Sequence, residues 1–348
     1  MNKTTSVTGC SPAIVEQLQH WATQTFGSDC TIDAPQSLGG HSGVTIGFAV
    51  LSTNVTREQL VLKMPPPGVA RKNNFDVLRQ VPLLQALEAH RIKAPRIKWW
   101  SDDETIFGAP YLIMSRLEGR SPPDIFRPEA GQGIPNAETM FVRAVEELVA
   151  IHAIDAESAF TGWQVQRDSD AEIAHWVKIL HKTNNPDWLE AGLNLGDRLH
   201  ATKPSQAHRG LVHGDYYSNN WVFAGGELSG VVDWEGASIG PSLLDLGWLY
   251  MMYDPASWGP SRRQYMHWQP ASEKLLEAYL AASDWPRHEI LNDLPWYRAL
   301  ASFRIAAITA YYLEEHRSGR RTNDTWEMFG EAFPHLIGRA SELLISGA

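Results

Sequence analysis

At 348 residues, 43% of them apolar and 20% charged, the chain is long enough for two domains and far from disordered composition. A formal net charge of −10 argues against the concentrated basic surface that non-specific binding to nucleic acid or anionic membranes requires. Two cysteines, Cys10 and Cys30, with no C-x-x-C pair, argue against a disulfide framework or a structural zinc site.

Ser11-Pro12 ahead of Ile14, Val15, Leu18, Trp21 and Ala22 predicts a capped amphipathic helix that ends at Gly27. A Gly-rich stretch, Gly39-Gly40-His41-Ser42-Gly43, precedes a β-prone run from Val44 to Leu51 and a second apolar strand from Leu60 to Met64. Pro65 to Gly68 break that strand. A helical stretch follows over Phe75 to His90, with Pro82 as a kink or a fresh start. Ile97 to Trp100 and Tyr111 to Leu117 predict further strands. After Glu118 the pattern turns helical, beginning with Phe141, Val145, Leu148 and Ile151 at helical spacing. The expected fold class is therefore α+β: a small β-rich lobe over 1–117 and a larger, mainly helical lobe over 118–348. No apolar run reaches the length of a membrane span, and no apolar segment precedes Cys10 as a lipoprotein box would need, so a soluble, cytoplasmic protein is expected.

The most informative segment runs from Leu211 to Asp233. His213-Gly214-Asp215 is followed by Asn220, a short apolar strand Trp221-Val222-Phe223, a turn at Gly225-Gly226, and a second strand that leads to Asp233. Folding about Gly226 brings Asn220 and Asp233 to one end of a hairpin, with Cβ atoms roughly 5–8 Å apart. One amide oxygen and one carboxylate so placed suit Mg²⁺, which takes oxygen ligands and bridges substrate phosphates. Asp215, beside that pair, is placed to accept the proton of an attacking hydroxyl, and His213 to orient the loop backbone. The competing reading is a polar turn and hairpin with no chemistry in it.

H-G-D-x-x-x-x-N followed by a hairpin ending in Asp resembles the catalytic and metal-binding segments of the aminoglycoside phosphotransferase and choline kinase family. Trp234-Glu235 and the run Gly240 to Gly247 are similar to that family's D-W-E and G-D-P-x-x-D-L-G stretches. The resemblance implies a bilobal protein-kinase-like fold, Asp215 as catalytic base, Asn220 and Asp233 as magnesium ligands, and Asp245 as a structural holder of the catalytic loop. It also implies a nucleotide site in the first lobe, for ATP or alternatively GTP. Gly40, His41, Ser42 and Gly43 would then face phosphates, although a Gly-rich hairpin turn explains them equally well. Lys63 would bind the α- and β-phosphates, where a lone strand lysine is otherwise an exposed edge residue. Ser115 to Leu117 would meet adenine through the backbone, or else form an ordinary buried strand end.

One position departs from the family pattern. The glutamate expected to pair with Lys63 is replaced by Gln80, with Asp76 one turn earlier as a substitute. Two functions follow from the whole: a kinase that phosphorylates a hydroxyl on a small molecule, or a nucleotide-binding pseudokinase without turnover. The resemblance assigns the acceptor pocket to 163–200 and 255–317, and no residue code there names the acceptor. The aromatic cluster Trp248, Tyr250, Tyr253, Trp258 and Trp268 reads as core first and pocket wall second.

Overall fold

The computed structural model describes residues 9–39, 43–52, 57–65, 76–123, 136–163, 167–206, 208–266 and 271–346. Chain contacts divide the protein into two compact units. One comprises Met1–Glu118 with Ser229–Glu235, and the other Gly119–Leu228 with Gly236–Ala348.

The first unit opens with helix α1 (Pro12–Phe26). The Ser11 hydroxyl accepts the Ile14 N–H, Pro12 occupies the first turn where no amide is needed, and the helix ends at Gly27 with φ +104°. Strands β1 (Thr31–Ser37), β2 (Val44–Leu51) and β3 (Glu58–Met64) follow. After a single 3₁₀ turn at Val77–Arg79 come α2 (Gln80–Ala89), β4 (Ile97–Ser101) and β5 (Tyr111–Ser115). The strands form one antiparallel sheet in the order β1-β2-β3-β5-β4. Because side chains alternate across a strand, Ile46, Phe48, Val50, Leu60 and Leu62 pack with Leu18 and Trp21 of α1 in one core. Trp21 meets Phe48 and Trp99 edge-on at 5.9 and 5.2 Å between ring centroids. Lys63, between Leu62 and Met64, takes the other face of the sheet.

The second unit is helical: α3 (Ala137–His152), α4 (Ala156–Ala159), α5 (Ser169–Leu180) and α6 (Pro186–Ala201) lead to strand β6 (Arg209–Val212). Strands β7 (Trp221–Ala224) and β8 (Glu227–Val231) make a ribbon joined at Gly225-Gly226, and the chain passes through it from this unit into the first. Strand β9 (Ser238–Pro241) returns to pair with β6. The remaining helices are α7 (Leu243–Tyr253), α8 (Pro260–Arg263), α9 (Ser272–Ala282), α10 (Arg287–Arg317) and α11 (Thr325–Ser346). Helix α10 is the axis of the unit and packs against α5, α6, α7 and α11 through Leu294, Trp296, Leu300, Phe303 and Ala307, among others. No helix among the described residues is long and apolar enough to cross a membrane.

Two elements differ from the sequence expectation. Strand β1 was not expected, since Thr31–Ser37 carries Asp, Pro and Gln and has one fully buried position. It is an edge strand with an irregular register between Asp33 and Gln36, where Ala34 adopts φ +47°. The helix expected from Phe75 instead begins, within the described residues, as a 3₁₀ turn capped by the Asp76 carboxylate. The α-helix starts afresh at Gln80, which leaves Pro82 in its first turn.

Candidate active site

The loop between β6 and β7 carries most of the predicted chemistry. Gly214 has φ +86°, and a Cβ there would lie 2.6 Å from the Gly236 carbonyl oxygen, so only glycine fits between His213 and Asp215. The loop is held from below by Asp245, in the first turn of α7 and fully buried. Its two carboxylate oxygens accept the backbone N–H groups of His213 at 2.6 Å and Gly214 at 2.8 Å. Charge-assisted bonds of this kind are about twice as strong as neutral ones. The other end of α7 holds the same loop, because the Tyr253 hydroxyl donates to Ser218.

Within the loop the His213 imidazole accepts the Asp215 N–H at 3.1 Å, which is the orienting role expected of it. Tyr216 is buried and donates to the Ala144 carbonyl at 2.5 Å. Burial, then the charges of Glu147 and Asp245, push its phenol well above the ordinary range, so it stays a donor. His152 is a satisfied core histidine, bonded to the Tyr279 hydroxyl at 2.8 Å and 3.5 Å from Asp245.

Asp215 and Asn220 lie together. Asn220 closes a 3₁₀ turn, Ser218–Asn220, immediately before β7. Its amide nitrogen donates both to the Asp215 carbonyl at 2.8 Å and to the Asp215 carboxylate at 2.9 Å. Two acceptors on that side fix which end of the amide is NH₂. The opposite end, Oδ1, accepts no hydrogen bond among the described residues.

Lys63 and Asp233 belong to the first unit. Lys63 is 6% exposed, and its ammonium donates to Asp233 at 2.9 Å and to Glu235 at 3.0 Å. Burial opposes charge on Lys63, but the two carboxylates outweigh it and raise its pKa above the ordinary lysine value. Asp233 stands past the end of β8 with φ +66°, an uncommon conformation for any residue but glycine. The Trp234 indole, fully buried, donates to the Val231 carbonyl at 2.9 Å and fixes the turn that carries Asp233 and Glu235.

Neither partner expected for Lys63 is used. The Gln80 amide is buried with its nitrogen unpartnered, and Asp76 caps the 3₁₀ turn before α2. Glu235 supplies the second charge in their place. Its signal was present in Asp233-Trp234-Glu235, where a carboxylate two residues beyond Asp233 shares the reach of the same turn.

Of the other predicted residues, Gly40, His41 and Ser42 lie outside the described residues, as does Trp268. Gly43 is described, and a Cβ there would lie 2.2 Å from the Met64 carbonyl oxygen. At the end of β5, the Ser115 N–H donates to the Arg96 carbonyl at 2.9 Å and the Arg116 N–H to that of Gln59 at 3.0 Å. Leu117 N–H alone of the three has no such partner among the described residues. No group of three or more His, Cys, Asp or Glu among the described residues could hold a metal. Hard-oxygen donors are nonetheless present in the Asn220 amide oxygen and the Asp233 carboxylate. Each, taken in its own unit, is a donor type that suits Mg²⁺ shared with phosphates better than a cation caged by protein alone.

The model of a phosphotransferase enzyme family matches residues 47–300, which include the sheet from β2 onward, the Asp215 loop and α7. The chain belongs to that family. The human acyl-CoA dehydrogenase family member 11 is 24% identical to this phosphotransferase-family chain over 81% of its length, which spans only 37% of that relative. Two solved structures share the fold. A candidate aminoglycoside phosphotransferase from Ralstonia eutropha has a TM-score of 0.74 at 19% identity, covering 95% of this chain and 98% of its own. An aminoglycoside phosphotransferase in ternary complex with ADP and hygromycin B has a TM-score of 0.60 at 15% identity, covering 95% and 99%. The protein-kinase-like fold expected from the sequence is thus the fold observed.

Proposed function

We propose that this phosphotransferase moves the γ-phosphoryl group of ATP, taken as its magnesium complex, to a hydroxyl of a small molecule. The observation that carries the reading is the Asp215–Asn220 pair. One amide is turned so that its NH₂ steadies a half-buried carboxylate while its oxygen is left for a cation. In this reading the first lobe, 1–117, holds the nucleotide, and the helical lobe, 118–348, holds the loop and the acceptor. Asn220 and Asp233 hold the cation. Lys63, anchored by Glu235, neutralises phosphate oxygens, Gly40 to Gly43 cover them, and the backbone from Ser115 to Leu117 meets the purine. When bound, the magnesium nucleotide supplies the phosphoryl group and a positive charge beside it. Asp215 orients the acceptor hydroxyl and takes its proton. The acidic chain works in the cytoplasm on a free small molecule, with no nucleic acid or membrane as partner.

The pseudokinase alternative drew on Gln80 alone, and Glu235 removes that support, because Lys63 is paired without it. The test is ADP release from Mg-ATP with a panel of hydroxylated compounds, for the wild type and Asp215→Ala. A positioned general base contributes about 10²–10⁴-fold, so the substitution should lower turnover by that factor. ADP release unchanged by Asp215→Ala, or absent from the wild type with every acceptor, would overturn the proposal.

A further inference from the structure

Arg304 lies on the stretch of α10 that passes α5 and α7. Its guanidinium carbon is 5.1 Å from the centroid of Trp176 on α5 and 4.7 Å from that of Trp248 on α7. These ring contacts attract the charge but accept none of the guanidinium's five in-plane N–H bonds. No hydrogen bond or ion pair to Arg304 is formed among the described residues, and its Nε is buried without a partner. A buried donor left so is costly, more so when it is charged, and calls for an explanation.

The carboxylates nearby are already engaged. Glu172 is buried and accepts the Trp176 indole at 2.7 Å and Arg167 at 3.4 Å. Asp245 holds the two loop amides, and Asp215 accepts from Asn220. Burial lowers the pKa of Arg304, while Glu172, Asp215 and Asp245 act to raise it and Arg167 to lower it further. Its charge therefore stands in the field of the same Asp215 that the reaction uses, and it persists at neutral pH. Arg167 adds a second positive charge that acts on Arg304, and half-buried His175, lowered first by burial and then by Arg167 and Arg304, faces the same two cations. The backbone sets this position: Arg167 N–H donates to the Ile239 carbonyl of β9 at 2.9 Å, which starts α5 beside the strand pair leading into the Asp215 loop.

We propose that Arg304 is the anion reader of the acceptor pocket. Its guanidinium, set between Trp176 and Trp248, binds an oxyanion (carboxylate or phosphate) on an acceptor whose hydroxyl reaches Asp215. The acceptors are then hydroxy acids or phosphorylated alcohols, and cationic acceptors are disfavoured. This rests on the phosphotransferase reading above.

The test compares short hydroxyalkanoates with their neutral amides, and glycerol phosphate with glycerol, in the wild type, Arg304→Gln and Arg304→Lys. ADP release gives the ratio of kcat/KM for each charged and neutral pair, and calorimetry gives direct binding of the same compounds. A charge-assisted contact predicts a preference for the charged member of about 10- to 100-fold in the wild type. That preference should fall to near unity in Arg304→Gln and be partly kept in Arg304→Lys. Acid preferred to phosphate, or the reverse, identifies the group that is read. Equal use of charged and neutral acceptors by the wild type overturns the proposal even if Arg304→Gln does not fold. So does an equal loss for both in Arg304→Gln, or failure of every anion to bind or react. Anion binding that Arg304→Gln abolishes, with no ADP released by any protein, would keep the anion site and sink the kinase reading instead.

Discussion

Replacing Asp245 by Asn changes two heavy atoms very little, yet it should loosen the loop that carries Asp215. Both carboxylate oxygens accept a backbone N–H, from His213 at 2.6 Å and from Gly214 at 2.8 Å, in a position with 0% exposure. An amide has one oxygen. Whichever way it turns, one NH₂ faces a backbone N–H, so one bond worth about 1.5–3 kcal/mol is lost and a buried donor is left unpaired. Burying a neutral group in place of a charge offsets part of this, which leaves a net loss of about 2–4 kcal/mol. Hydrogen exchange resolves it at the residues concerned. The amides of His213 and Gly214 should exchange about 30- to 900-fold faster in Asp245→Asn if they open locally. ADP release should fall with them. Exchange within about threefold of the wild type at both amides would refute the claim that this carboxylate holds the loop.

Lys63→Met should lower unfolding free energy by about 1–3 kcal/mol, less than for a fully buried pair because the Asp233 side chain is 42% exposed. Since the pKa of Lys63 is raised on folding, its contribution is complete below the unfolded lysine value and is lost as pH rises through the folded one. Denaturant titrations at neutral and strongly alkaline pH should therefore show the gap between wild type and variant closing at the alkaline end; a gap that widens there would contradict the pairing. Gly43→Ala puts a methyl 2.2 Å from the Met64 carbonyl, and because backbone meets backbone the start of the β2–β3 pairing must shift. A loss of about 2 kcal/mol or more is expected in thermal melts, and an unchanged melt would mean that the strand end is looser than described. Asp254 accepts Arg298 at 2.9 Å and Arg339 at 2.7 Å and caps the turn after α7. Asp254→Ala should cost about 3–5 kcal/mol in chemical denaturation, since Arg298 is already strained by burial. A cost under about 1 kcal/mol would show that water replaces the carboxylate.

The parts of this protein that could be read from its sequence are those written in local rules. Helix α1 runs from its serine cap to its glycine stop because both signals act on neighbouring amides. Strand β2 occupies the run from Val44 to Leu51 that its apolar residues predict. The loop from His213 to Asn220 stood out because glycine, acid and amide occur there at a spacing that turn chemistry alone does not explain. Strand β1 was hidden because an edge strand needs little apolar content and draws its pairing from β2. Glu235 was legible only through its place two residues beyond Asp233 on the same turn, since its bond to Lys63 joins residues 172 positions apart. Arg304 was hidden more deeply: nothing in the sequence of α10 shows that it passes two tryptophans from other helices.

Helix α7 restrains the loop at both ends, through Asp245 and Tyr253, and contributes Trp248 beside Arg304. One rod thus serves two offices. Any revision of α7 is felt by the loop and by the surroundings of Arg304 at once, and α10, packed along α7, is tied to both. Libraries meant to retarget this scaffold should therefore leave α7 intact.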